Sequence, residues 1–236
     1  MKVRMMILPV AAMAALGGCA VTGGGPTETR EYSFSGFDSI VAESGIDVVL
    51  SQGPNFSVKS EAPEGKLDRI KIEQSGGTLT IDMEHEITFG WSGRYQVNVT
   101  APAYASITAS GGADVDADNL TGERLVLSVS GGADIDIKDV RIGTLEASAD
   151  GGGGIEIEGS CTTATLTASG GGNIDGEKFD CDTVTASANG GGDIDVGARM
   201  AAKGAASGGG DVRFLGSPPS FTADESSGGD VSVEGR

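Results

Sequence analysis

A glycine-anchored phrase returns at near-constant intervals through the second half of this chain. It reads SGGADV, SGGADI, GGGGI, GGGNI, GGGDI, GGGDV and SGGDV, and it sets Val115, Ile135, Ile155, Ile174, Ile194, Val212 and Val231 in register. The intervals are 20, 20, 19, 20, 18 and 19 residues. A period of that size marks a solenoid, in which one repeat makes one coil and no coil can bury its apolar face alone.

Each coil carries two alternating units. After the glycines come pairs such as Ile135 and Ile137, Ile155 and Ile157, and Val212 and Phe214, separated by polar or acidic residues. About ten residues later a second unit leads into the next glycines: Leu125, Leu127 and Val129; Leu145, Ala147 and Ala149; Val184, Ala186 and Ala188. Strict alternation signals a strand with one buried face. The same slots recur one coil on, so small residues should stack on small and branched on branched. Glycine runs supply corners where positive φ or close backbone approach excludes a side chain. The expected fold is all-β, a single-domain parallel β-helix with 18–20 residues per coil.

The content of 40 glycines with 5% aromatics would by itself suit a disordered glycine-rich tail. The phase kept over seven phrases argues for the solenoid, because a narrow stack needs Val, Ile, Leu and Ala more than large rings. Residues 105–236 read as the regular repeats. Residues 33–104 are less periodic and read as broader opening coils, with a small sheet as a cap over the end.

The N-terminus reads as an export address. Lys2 and Arg4 precede an apolar stretch from Met5 to Leu16 that ends in Leu16-Gly17-Gly18-Cys19. A charged start, a short apolar run and small residues describe a signal peptide over residues 1–18. Leu-Gly-Gly-Cys also resembles the bacterial lipobox, which implies a lipidated Cys19, a flexible tether over 19–32 and attachment to a membrane. By the same resemblance, Ala20 after the cysteine favours the outer membrane. An ordinary signal cut beside an incidental cysteine is the alternative.

Cys161 and Cys181 lie 20 residues apart, each nine residues before the first glycine of the next corner. They share a slot on neighbouring coils, about 4.8 Å apart. That spacing suits a disulfide, and an exported chain meets an oxidising compartment. Two stacked free thiols are the other reading.

The stretch from Phe37 to Gly53 (FDSIVAESGIDVVLSQG), followed by Leu79 to Ile81, Val97 to Pro102 and the SGGADV phrase, resembles the head GIN domain, a family described as "putative auto-transporter adhesin". The resemblance covers about residues 33–236 and implies a right-handed β-helix and a place among exported proteins and lipoproteins. It supplies no catalytic residue.

Formal net charge is −18, and loss of Lys2 and Arg4 with the signal takes it to −20. Nucleic acid is thereby excluded as a partner, since no basic stripe faces phosphates. The acids are ordered. Asp116, Asp136, Glu156, Asp175 and Asp195 share one outward slot, and Asp114, Asp134, Asp193, Asp211 and Asp230 share its neighbour, interrupted by Gly154 and Asn173. Carboxylates one coil apart repel by about 0.9 kcal/mol even at water's dielectric constant. Two readings stand: a solvated ladder that keeps the rod soluble, or a row of oxygen ligands for Ca²⁺, the one candidate cofactor.

Catalytic motifs are absent. The single histidine, His85, lies between carboxylates with no second histidine to complete a ligand set. The chain therefore reads as a non-catalytic envelope protein that binds surface polysaccharide, peptidoglycan or another protein, with Phe89, Trp91 and Tyr95 as candidate contacts. The alternative is a carbohydrate-active enzyme, a lyase or hydrolase, built on a β-helix.

Overall fold

The computed structural model describes residues 26–84 and 93–235. Seventeen strands and one 3-10 turn, Leu67–Arg69, make up the regular structure, with no α-helix among the described residues. The first seven strands are β1 (Thr27–Tyr32), β2 (Ser39–Ala42), β3 (Asp47–Gln52), β4 (Ser57–Pro63), β5 (Ile70–Ser75), β6 (Thr78–Met83) and β7 (Gln96–Ala101). The coils continue through β8 (Ser106–Ser110), β9 (Asp114–Asp118), β10 (Thr121–Gly131), β11 (Asp134–Gly151), β12 (Gly154–Gly170), β13 (Asn173–Gly190) and β14 (Asp193–Ser207). The last three are β15 (Asp211–Leu215), β16 (Ser220–Ser226) and β17 (Asp230–Glu234).

The result is a parallel β-solenoid. Each strand from β11 to β13 spans most of a coil and pairs in parallel with the coils before and after it, so backbone hydrogen bonds run along the rod rather than around it. Register follows the glycine phrase: Ile135 opposes Val115 and Ile155, Ile155 opposes Ile174, and Ile174 opposes Ile194. The run then closes through Val212 and Val231. All seven are buried, branched on branched as expected.

Like-on-like stacking does not hold everywhere. One core row reads Leu127, Ala147, Leu166, Ala186, Gly204. Large and small alternate because the side chains must also fill the space between facing sides of the coil. At Gly204 a Cβ would collide with Val231 Cγ1 and stand 2.9 Å from the Phe214 ring. These two side chains occupy the volume that the row leaves empty.

The corners explain the glycines. At Gly131 and Gly190 the backbone takes φ of 77°, a left-handed turn that costs glycine nothing. The last corner position is different: it is Ala113, Ala133, then glycine in every later coil, because the chain there lies against the coil before it.

Residues 33–104 supply coils, but out of chain order. The coil made by β2 and β3 is bounded on one side by β8 and β9 and on the other by β6 and β7. The chain thus leaves its first coil, folds outward, and comes back past it to begin the repeats. The outermost layer is antiparallel: β5 on β6, β4 on β7, and β1 on β4. This layer covers the end that a parallel stack would leave with unpaired edges. Aromatic rings gather here: Phe37 is buried and meets Phe56 at 5.0 Å, and Tyr32 stacks on Phe34 at 5.9 Å.

Candidate functional site

The two long sides of the rod differ in chemistry. One carries the acid ladder. Asp116, Asp136, Glu156, Asp175 and Asp195 oppose one another coil by coil, and Arg213 takes the same slot next. Arg213 ends the row by bridging Asp195 at 2.6 Å, Glu177 at 2.6 Å and Glu234 at 3.7 Å, so three coils share one guanidinium. These carboxylates, Asp195 first, raise the Arg213 pKa. At the other end Arg94 holds Asp47 at 2.5 Å. Lys138 pairs with Asp136 at 3.1 Å, and Lys178 with Glu158 at 2.7 Å.

The neighbouring acid slot has a structural task. Asp134 accepts the N–H of Gly154 at 2.9 Å, Asp193 that of Asp211 at 3.2 Å, and Asp211 that of Asp230 at 3.1 Å. Each carboxylate therefore pins the start of the strand one coil on. Burial, helped by Asp47, Asp134 and Asp116, holds the Asp114 carboxyl above its ordinary range, while Arg94 opposes the shift.

A shallow recess of about 350 Å³ lies on this side, lined by Asp134, Asp136, Gly154, Glu156, Asn173 and Asp175. Asp136 Oδ1 is sealed there without a hydrogen-bond partner, although Oδ2 meets Lys138. No three His, Cys, Asp or Glu side chains among the described residues converge as a metal site would require. The ladder is a row, not a cage.

The strands that lead into the glycine corners are rich in hydroxyls and carry fewer charges, among them Glu146, Asp150 and Lys203. Thr108, Ser128, Ser148, Thr167 and Ser187 form one row, in register coil by coil. A parallel row runs Ser110, Ser130, Asp150, Ser169, Asn189, Ser207. Neighbours are bonded along the rod: Ser148 with Ser128 at 3.3 Å, Ser207 to Asn189 at 2.8 Å, and Ser169 to Asp150. Such bonds fix rotamers, so the hydroxyls present a preset pattern. Their signal in the sequence is the alternation in SITAS, LSVS, TLTAS and TVTAS, where every second residue is polar and small.

Cys161 and Cys181 form a disulfide, with Cα atoms 4.5 Å apart. Both are buried, in a slot continued by Ile142 and Ala198. Of the proposed aromatic contacts, Tyr95 is committed to the cap: its hydroxyl accepts a hydrogen bond from Arg69 at 3.1 Å, and the guanidinium lies 5.3 Å from its ring centre. Cys19, His85, Phe89 and Trp91 lie outside the described residues.

Residues 36–218 match the family described as "Putative auto-transporter adhesin, head GIN domain". The chain belongs to that family. Among solved structures, a "putative adhesin" of Bacteroides fragilis aligns with a TM-score of 0.82 at 23% identity, covering 89% of this chain and 97% of that one. A "putative lipid binding protein" of Parabacteroides distasonis aligns at 0.70 and 19% identity, covering 90% and 97%. A "putative adhesin" of Parabacteroides merdae aligns at 0.69 and 19%, covering 90% and 98%. These share the fold of this GIN-domain chain. No curated protein matches it. The family is described as a "putative auto-transporter adhesin", and these neighbours as a "putative adhesin" or a "putative lipid binding protein".

Proposed function

We propose that this GIN-domain chain is a non-catalytic module of the bacterial envelope, exported and anchored through a lipidated Cys19, that binds an envelope glycan along its hydroxyl-rich side. The observation that carries this reading is the pair of hydroxyl rows. They offer donors and acceptors at a repeat of about 4.8 Å on a rigid sheet, which suits a chain of repeating hydroxyls better than a small molecule. Charges are sparser on this side, which lets a neutral polymer approach, while the acid ladder repels anionic surfaces. The family's description as an adhesin supports binding over turnover.

The test incubates the purified protein with a panel of envelope glycans, peptidoglycan included. Retention without cleavage products, lost in Thr167→Arg/Ser187→Arg, supports the proposal. Cleavage products would establish an enzyme instead, and unchanged retention in the double variant would remove the hydroxyl side from the account. Separately, Cys19→Ser should move the protein from the membrane to the soluble fraction. Continued membrane attachment would rule out the lipid.

A further inference from the structure

The large apolar side chains that remain exposed in the described chain collect at one end of the rod. Met200, Phe221 and Val233 are 57%, 43% and 37% exposed, and all belong to the last coils. Phe221 stacks over Ala202 and meets Phe214 edge-on at 6.1 Å, while Val233 stacks over Phe214. Beyond β16 and β17 no described strand follows, so each keeps one edge of unpaired N–H and C=O groups. An extended segment can add to such an edge through main-chain bonds, with its alternate side chains covering the apolar end.

Charge decides which segment fits. The end is ringed by Asp224, Glu225, Asp230 and Glu234. Glu225 stands over Ala206, in the slot that Ala149, Ala168 and Ala188 fill in the coils below, and its carboxylate accepts the Val231 N–H at 3.0 Å. A carboxylate on the core side of a terminal strand rejects any partner that places an apolar or acidic residue above it. A second copy of this chain would bring acids against acids. A strand with a lysine or arginine at that slot would pair with Glu225 instead.

We propose that the outer edge of β16 is a docking site for an extended polypeptide segment of another protein, with apolar side chains over Phe221 and Ala223 and a lysine or arginine over Glu225. This site is the terminal edge of the stack that carries the hydroxyl rows, and its binding does not depend on glycan. Binding of two acetylated, amidated peptides to the full chain tests it: Ser-Val-Thr-Val-Lys-Lys-Ser and its counterpart with both lysines replaced by glutamate. The basic peptide should bind at least about tenfold tighter, and Glu225→Lys should reverse the order. Phe221→Asp should abolish binding of both, with the thermal midpoint of each variant confirming that it folds. Equal affinities, no binding below about 1 mM, or an order unchanged by Glu225→Lys would overturn the proposal. So would a wild-type dimer that Phe221→Asp dissolves, since the occupant would then be a second copy.

Discussion

Gln52 and Thr121, 69 positions apart, exchange hydrogen bonds across the base of the rod. The Thr121 N–H donates to Gln52 Oε1 at 2.7 Å, and Gln52 Nε2 donates to the Thr121 carbonyl at 3.1 Å and the Pro102 carbonyl at 3.0 Å. This one amide joins the first coil, the returning chain and the first long repeat. Gln52→Ala leaves the exposed Thr121 N–H to water, so we expect a loss of about 0.5–1.5 kcal/mol in urea unfolding. A second, earlier transition should appear if the cap then unfolds before the coils. An unchanged midpoint would show that the latch is redundant.

Two glycine substitutions separate crowding from conformation. A Cβ on Gly192 would stand 2.8 Å from the Gly172 carbonyl oxygen and 2.9 Å from the Ala168 carbonyl carbon, with backbone on both sides unable to yield. Gly192→Ala should cost about 1–3 kcal/mol. On Gly132 a Cβ meets nothing within 4 Å. Gly132→Ala should be neutral or stabilise by up to about 1 kcal/mol through reduced freedom of the unfolded chain. Equal losses at both sites in thermal unfolding would contradict the corner geometry.

The regular coils were legible in the sequence because their slots repeat: the Val115-to-Val231 row, the acid row and the cysteine pair all follow from one period. The order of the first coils was not legible. Parallel pairing of β2 with both β6 and β8 depends on which edges meet in space, and Ile40, Leu79 and Ile107 look alike as apolar strand residues. The task of Asp134, Asp193 and Asp211 was hidden for another reason. Alternation marks them as outward and acidic, but says nothing of the backbone N–H waiting one coil on. The hydroxyl rows are masked in the sequence because serine beside glycine reads first as turn chemistry.

The Cys161–Cys181 bridge closes a loop of one coil. For a loop of that length, chain entropy in the unfolded state gives about 3 kcal/mol. Cys161→Ala/Cys181→Ala should lower stability by that order without changing the fold, since Ala198 already fills the next position of the row. Denaturant midpoints of the double variant and of the reduced wild type should agree. Both sulfurs are buried, so a thiol reagent should find them in the reduced protein only on unfolding.

Asp114 gives a pH dependence of definite sign. Its folded pKa lies above the ordinary 3.8, so its ionisation opposes folding. The penalty is absent below the unfolded value, grows as pH rises through the folded one, and is complete at neutrality. Asp114→Asn should therefore raise the thermal midpoint at pH 7, with the gain fading below about pH 4. Added salt should shrink the gain, because Asp47, Asp134 and Asp116 contribute to it through space. A gain that persists unchanged at pH 3 would remove charge as its cause.

Glu225 puts a carboxylate where an apolar row would otherwise reach the open end of the rod. In the coils below, its slot holds Ala206, Ala188, Ala168 and Ala149, each buried, and stacking there continues without interruption. Glu225→Val would extend that apolar row to the surface beside Phe221 and remove the repulsion between two copies. The expected result is a concentration-dependent dimer in sedimentation, where the wild type stays monomeric under the same salt. Adding Phe221→Asp to Glu225→Val should restore the monomer by returning a charge to the same edge. If Glu225→Val remains monomeric at high concentration, the carboxylate is not what guards the edge. Protection would then have to come from Pro218 and Pro219, which stand just before β16 and have no N–H to offer an incoming strand.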